Sequence, residues 1–227
     1  MEQTAVRRPP TRRHRRRRRR RRRCRGIPFA ALLLAILAAG LLAGRLLSGD
    51  TRSKNPKVKQ PPDNPEWIIQ ALLPVNDYSR PGTPLDAING IVIHYVGNPG
   101  TTAEQNHSYF AGLARSGETY ASSHFLVGLD GEILQNVPLD EVAYCSSQRN
   151  SDTLSIECCH PDEAGEFTQE TYDALVRLTA WLMDYYGLDT SQVIRHYDVT
   201  GKECPRYYVQ HPEAWEAFLS DLDTGTE

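Results

Sequence analysis

His196 and Cys204 flank seven intervening residues in Arg195-His196-Tyr197-Asp198-Val199-Thr200-Gly201-Lys202-Glu203-Cys204-Pro205, and His94 closes the apolar run Ile91-Val92-Ile93 about a hundred residues earlier. Two imidazoles and one thiolate suit zinc, and three protein ligands leave a fourth tetrahedral position for water, as a hydrolytic site requires. The spacing matches no short general zinc pattern such as H-E-x-x-H. Taken alone, His94 at a strand end is as well explained as an ordinary hydrogen-bonded histidine, and Lys202 as a surface lysine. Glu157 follows Leu154-Ser155-Ile156. Strand alternation puts Ile156 and Glu157 on opposite faces, so the carboxylate either lines a groove or sits in a salt bridge.

These residues need elements to position them. The β-branched run from Gly90 to Val96 predicts a buried strand, and residues 101–114 a helix with a Thr101/Glu104 capping box and Gly117 as its stop. Residues 122–127 and 132–137 flank Gly128-Leu129-Asp130-Gly131, a hairpin signal. Residues 154–159 predict a strand. Residues 167–186 predict the longest helix, capped by Thr168 and ended by Gly187. A strand over 193–196 and a helix over 211–222 with Pro212 in its first turn complete the pattern. Strands and helices alternate without internal repeats, which predicts an α/β domain with a mixed central sheet covered by helices.

The chain has 227 residues and a formal net charge of −2, an average that hides an asymmetry. Residues 1–47 hold 15 of the 26 basic residues and Glu2 as their one acid; residues 48–227 carry 11 basic and 27 acidic residues, an excess of 16 negative charges. The unbroken run Arg15 to Arg23 predicts a disordered, arginine-rich cytoplasmic tail over 1–25. The 18 uncharged residues from Ile27 to Gly44 follow it. A helix of that length reaches roughly 27 Å, near the thickness of a bilayer's hydrocarbon core. A single-pass anchor over 26–47 is expected, with the N-terminus cytoplasmic and the acidic body outside. A cleaved signal peptide is the rival, though its apolar region is usually shorter, about 7–15 residues. The arginine run would serve as a topogenic tail near anionic lipid, and no nucleic-acid partner is expected against so acidic a body. Residues 48–65, rich in Asn, Lys, Pro and Asp, read as a linker, and 66–227 as one catalytic domain. Cys145 could pair with Cys158 or Cys159, or all three could be small buried thiols.

Five segments occur in a telling order: Tyr78-Ser79-Arg80-Pro81-Gly82, Ile91-Val92-Ile93-His94-Tyr95, Ser123-His124-Phe125, Ser155-Ile156-Glu157, and His196-Tyr197-Asp198-Val199 leading to Lys202-Glu203-Cys204-Pro205. In them the chain resembles the zinc-dependent N-acetylmuramoyl-L-alanine amidases, the superfamily of bacteriophage lysozyme-type amidases and peptidoglycan recognition proteins. The resemblance covers about residues 76–208. It implies one Zn2+ per chain on His94, His196 and Cys204, the last position being aspartate in some relatives. It also implies Glu157 as the general base and Lys202 aimed at the oxygen that becomes negative. One branch instead draws its base from a tyrosine just before the histidine of the third segment; Ser123 stands there in this chain. Tyr95 is an expected substrate contact; His124 either contacts substrate, supports the zinc site or is a core histidine satisfied by backbone; and Asp198 either orients a ligand imidazole or ends a strand. Many relatives carry a histidine about where Tyr144-Cys145 stands. The implied activity is that of a bacterial hydrolase, expected to be monomeric, that cuts the amide between N-acetylmuramic acid and L-alanine of peptidoglycan. The alternative is a non-catalytic, receptor-like peptidoglycan-binding module. Loss of the cysteine usually marks that route, and Cys204 is present.

Overall fold

A computed structural model describes residues 58–224. The expected tail over 1–25 and anchor over 26–47 lie outside the described residues, as does most of the linker; among the described residues no helix is long and apolar enough to cross a membrane. Residues 58–65 have no regular secondary structure, yet they pack on the domain. Val58 joins the hydrophobic core, and Asn64 Nδ2 donates to Gln135 Oε1 at 2.6 Å.

Among the described residues, β1 (Ile68–Gln70), β2 (Ile91–Tyr95), β3 (Phe125–Val127), β4 (Ile133–Gln135), β5 (Leu154–Cys158) and β6 (Val193–Arg195) form one sheet. Its order is β1-β4-β3-β5-β2-β6, parallel except for the antiparallel β3–β4 hairpin. Period-two alternation gives the sheet two unlike faces. Ile91, Ile93, Phe125, Leu154 and Ile156 point to a core shared with Leu175, Leu178 and Leu182 of α2 (Gln169–Tyr186) and with Phe218 and Leu222 of α5 (Pro212–Thr224). On the opposite face Leu126 and Leu134 pack with Phe110 and Leu113 of α1 (Ala103–Ser116). α1 covers one part of that face, and the polar residues of β2 and β5 lie on the rest.

The ends of α1 show how local chemistry adjusts a predicted boundary. The capping box forms one residue later than expected, between Thr102 and Gln105. Thr101 is already engaged, its hydroxyl donating to the Asn98 carbonyl at 2.7 Å and accepting from Asn106 Nδ2 at 2.9 Å. Gly117 ends the helix at φ 62°, as a left-handed cap requires. At α2, Thr168 accepts from the Thr171 amide at 3.1 Å and donates to the Leu129 carbonyl at 2.7 Å, so the cap also seats the β3–β4 turn. Gly131 in that turn sits at φ 81°, where an added Cβ would lie 2.8 Å from the Glu170 carbonyl oxygen. Three elements escaped the sequence reading: β1, α3 (His196–Thr200) and α4 (Arg206–Gln210). The predicted strand over 193–196 stops at Arg195 because the Asp198 carboxylate takes the Arg195 amide at 2.8 Å and starts α3.

His124 belongs to this framework. It is buried beside β3, where its Nδ1 accepts from the Ser155 amide at 3.0 Å and its Nε2 donates to the Glu141 carbonyl at 2.9 Å. Both ring nitrogens are satisfied inside the protein, as the core-histidine alternative expects. Burial pushes the imidazole down to about 4, against the opposing pull of the Glu141 carbonyl. An unfolded chain takes up this proton below about pH 6.5, whereas the folded chain refuses it until about pH 4. The stabilisation is therefore complete above about pH 6.5 and is lost as pH falls toward 4, amounting to roughly 3 kcal/mol. Urea unfolding of metal-free protein across this window should show the loss. A His124→Gln variant should shed about 1.4 kcal/mol per pH unit of the slope, and an unchanged slope would contradict the assignment.

Candidate active site

The parallel pairing of β2 with β5 sets His94 opposite Glu157, so both side chains leave the same face of the sheet. β6 pairs with the other side of β2, and α3 begins directly after it; the first residue of α3 is His196. The chain then turns back at Gly201, which sits at φ 77° and donates to the Tyr197 carbonyl at 2.7 Å. Cys204 is held by Tyr197, whose amide donates to the Cys204 carbonyl at 2.9 Å, and by its own amide, which donates to the Lys202 carbonyl at 2.7 Å. Three side chains from two parts of the sequence thereby converge.

His94 Nδ1 lies 3.1 Å from His196 Nδ1 and 3.9 Å from Cys204 Sγ, and all three residues are buried. A tetrahedral ion with ordinary Zn–N and Zn–S bonds would hold its ligand atoms about 3.3 Å (N to N) and 3.6 Å (N to S) apart. The donors present fit such an ion. His94 Nε2 is 3.2 Å from Ser146 Oγ; with its proton on that nitrogen, the ring keeps a lone pair on Nδ1. Burial lowers the basicity of both imidazoles, with Lys202 adding to the effect, so both rings are neutral. Burial pushes the Cys204 thiol up to about 12, although the Tyr95 amide and Lys202 act the other way. A metal ion must displace that proton to gain the thiolate.

Beside the three donors is a cavity of about 160 Å3, to whose walls Glu157, Cys145 and Lys202 also contribute. Glu157 is partly buried; Cys145 Sγ donates to its Oε1 at 3.4 Å, and its shielded Oε2 finds no hydrogen-bond partner among the described residues. Burial pushes this carboxyl up to about 7, offset in part by the Cys145 thiol and Lys202. A carboxyl with that affinity for protons accepts and releases them near neutral pH. Lys202 is exposed at the cavity wall and supplies its positive charge.

Five of the seven singled-out residues meet here: His94, His196, Cys204, Glu157 and Lys202. Tyr95 does not, and the reason is alternation. It follows His94 on β2, so its ring leaves the opposite face, packing against the α2–α5 core and 4.9 Å from the His160 ring. His124 is held in the framework described above. Asp198 touches neither ligand imidazole and instead pairs with Arg195 at 2.8 Å. Cys145, Cys158, Cys159 and Cys204 are free thiols. Cys145 faces Glu157, Cys158 enters the core on the other side of β5, and Cys159 meets Asn106. The sequence reading missed Ser146 and the role of Cys145 beside Glu157.

Comparison with known proteins places the chain in one family. The family described as N-acetylmuramoyl-L-alanine amidase matches residues 84–207, more than half of the chain. A probable N-acetylmuramoyl-L-alanine amidase of Bacillus licheniformis is 33% identical over 169 residues, covering 69% of this chain and 47% of the relative. The N-acetylmuramoyl-L-alanine amidase BlyA of Bacillus subtilis (strain 168) is 30% identical over 172 residues, covering 66% and 45%. The chain thus spans about half the length of the curated relatives it matches. Among solved structures, a mutant endolysin from Bacillus subtilis superimposes with a TM-score of 0.58 at 28% identity, over 68% of this chain and 97% of that one. The catalytic domain of XlyA gives 0.57 at 27% identity, over 68% and 98%.

The site geometry predicts one tightly bound divalent ion per chain. Zinc titration followed by metal analysis should give a stoichiometry near one for the wild type. His94→Ala, His196→Ala and Cys204→Ala should each lose most of it, since two protein ligands are too few. Stoichiometric zinc in a His94→Ala, His196→Ala double variant would place the ion elsewhere.

Proposed function

Because the chain belongs to the N-acetylmuramoyl-L-alanine amidase family, we propose that it is a zinc-dependent hydrolase that cuts the amide bond between N-acetylmuramic acid and L-alanine of peptidoglycan. One observation carries the reading: the donors of His94, His196 and Cys204 line the same cavity as Glu157 and Lys202. Zinc held by those three residues would polarise the scissile carbonyl and make water a competent nucleophile near neutral pH. Glu157 takes the proton from the attacking water through its unpartnered oxygen and returns it to the departing amine of L-alanine. Lys202 presents its ammonium to the carbonyl oxygen as negative charge develops there. His94 and His196 stay neutral and serve as ligands rather than as acids. A receptor-like binding module would need neither a raised carboxyl in the cavity nor the cysteine, and both are present.

We further propose that residues 26–47 anchor the protein in the cell membrane with the arginine tail inside, so that the catalytic domain meets peptidoglycan outside. Protease added to spheroplasts should degrade the domain and spare the tail. A mature N-terminus after Gly44 would show that the segment is removed.

Glu157→Gln keeps the shape of the side chain but cannot take the proton. It should retain zinc and peptidoglycan binding while turnover of a muramoyl-peptide falls by roughly 10²–10⁴-fold. Lys202→Ala should lose less, because the metal still polarises the carbonyl. The wild-type rate should fall as pH drops through the Glu157 pKa, which a bound cation pulls below the metal-free value of about 7. Near wild-type turnover by Glu157→Gln would assign the base to another residue. A zinc-loaded wild type that binds peptidoglycan fragments but frees no L-alanine amine would establish the binding module.

A further inference from the structure

The loop from Cys145 to Asn150 lies outside the His94, His196 and Cys204 set, although Cys145 with His94 and Glu157 forms a second group of close donors, and two consecutive side chains in it touch Glu157 and His94. Cys145 Sγ lies 3.4 Å from Glu157 Oε1, and Ser146 Oγ lies 3.2 Å from His94 Nε2. Neighbouring side chains on an extended strand diverge to opposite faces. Here the backbone is bent, with Ser146 at φ −110° and ψ 23°. One group holds the bend. The Asn150 side-chain oxygen accepts from both amides, Cys145 N at 3.1 Å and Ser146 N at 2.6 Å. A 3-10 turn over Ser147–Arg149 brings Asn150 back to that position, closed by the Arg149 amide on the Ser146 carbonyl at 3.0 Å. Gln148 Nε2 also donates to the Val199 carbonyl at 2.7 Å, tying the loop to α3, the helix that begins at His196.

We infer that Asn150 is a positioning residue for the hydrolysis: by gathering the Cys145 and Ser146 amides on one oxygen, it sets the Cys145 thiol on the Glu157 carboxylate and the Ser146 hydroxyl on the His94 imidazole. The inference rests on the reading of Glu157 as base and His94 as metal ligand. The thiol engages Oε1 and leaves Oε2 to take the proton. The hydroxyl accepts the Nε2 proton of His94 and leaves the Nδ1 lone pair for the metal. Metal affinity and proton transfer are thereby tuned through a single side chain that touches neither metal nor substrate. Asparagine suits the position because its amide oxygen accepts two hydrogen bonds without adding a negative charge near the base.

The test uses the full chain, with zinc affinity read by chelator competition and turnover measured at saturating zinc. Asn150→Ala should raise the zinc Kd and lower kcat, each by roughly 10–100-fold, with KM little changed. Asn150→Asp, which keeps the acceptor oxygen, should recover zinc affinity. The two arms should separate: Ser146→Ala raises the zinc Kd, whereas Cys145→Ala lowers kcat at unchanged zinc Kd and Cys145→Ser restores it. In the Cys145→Ala, Ser146→Ala background, Asn150→Ala should cost little more in either quantity. Wild-type zinc Kd and kcat in Asn150→Ala, or a loss undiminished in that background, would overturn the inference. Should Asn150→Ala fail to fold, the single variants decide, and Cys145→Ala and Ser146→Ala that leave kcat and zinc Kd untouched would overturn it. A wild type without amidase turnover would sink the functional reading instead, while the zinc measurements would still test the hold of Asn150 on Ser146.

Discussion

Strands β2 and β5 pair in a parallel register that sets His94 against Glu157, and the chemistry depends on that pairing. Parallel strands need both faces covered, and one face of this sheet is packed by α2 and α5 through Ile91, Ile93, Leu154 and Ile156. A slip of one residue in β5 would bury Glu157 in that apolar layer and turn Ile156 toward the cavity. Packing on the back face thus enforces the register that the front face uses. The parallel alignment also brings the ends of both strands to one edge, the usual place for a site in an α/β sheet.

Burial then sets the protonation states. The same desolvation keeps the His94 and His196 rings neutral, raises the Glu157 carboxyl to about 7 and pushes the Cys204 thiol to about 12. His94 Nδ1 and His196 Nδ1 lie 3.1 Å apart, close enough to share one proton, while the buried Glu157 Oε2 has no hydrogen-bond partner among the described residues. Lys202 adds a cation at the exposed rim, where solvent screens it.

The remaining polar residues hold the frame. Arg80 pairs with Glu141 through two hydrogen bonds, at 2.7 and 3.0 Å, and also donates to the Leu73 carbonyl at 2.7 Å. The Glu141 carbonyl receives His124, and His124 in turn binds Ser155 on β5. This chain links the Tyr78-to-Gly82 segment to the strand that bears Glu157. His124 is thereby built into the framework through both ring nitrogens.

The sequence by itself determined the fold class and brought forward, through resemblance, the residues proposed as ligands and base. His94, Glu157, His196 and Cys204 lie in segments whose order is distinctive, and periods of two and 3.6 residues placed β2, β5, α1 and α2. The caps at Thr168, Gly117 and Gly187 were legible because capping is local chemistry between residues three or four apart. β1, α3 and α4, at three to five residues each, are too short to show a period. The placement of Tyr95 and His124 was decided by the tertiary structure: one side chain alternates to the face opposite His94, and the other spends both nitrogens on partners 17 and 31 residues away. The Asn150 clamp left no trace in composition or spacing. Its meaning lies in contacts from Ser146 to His94, 52 residues apart, and such contacts exist once the sheet has brought distant strands together.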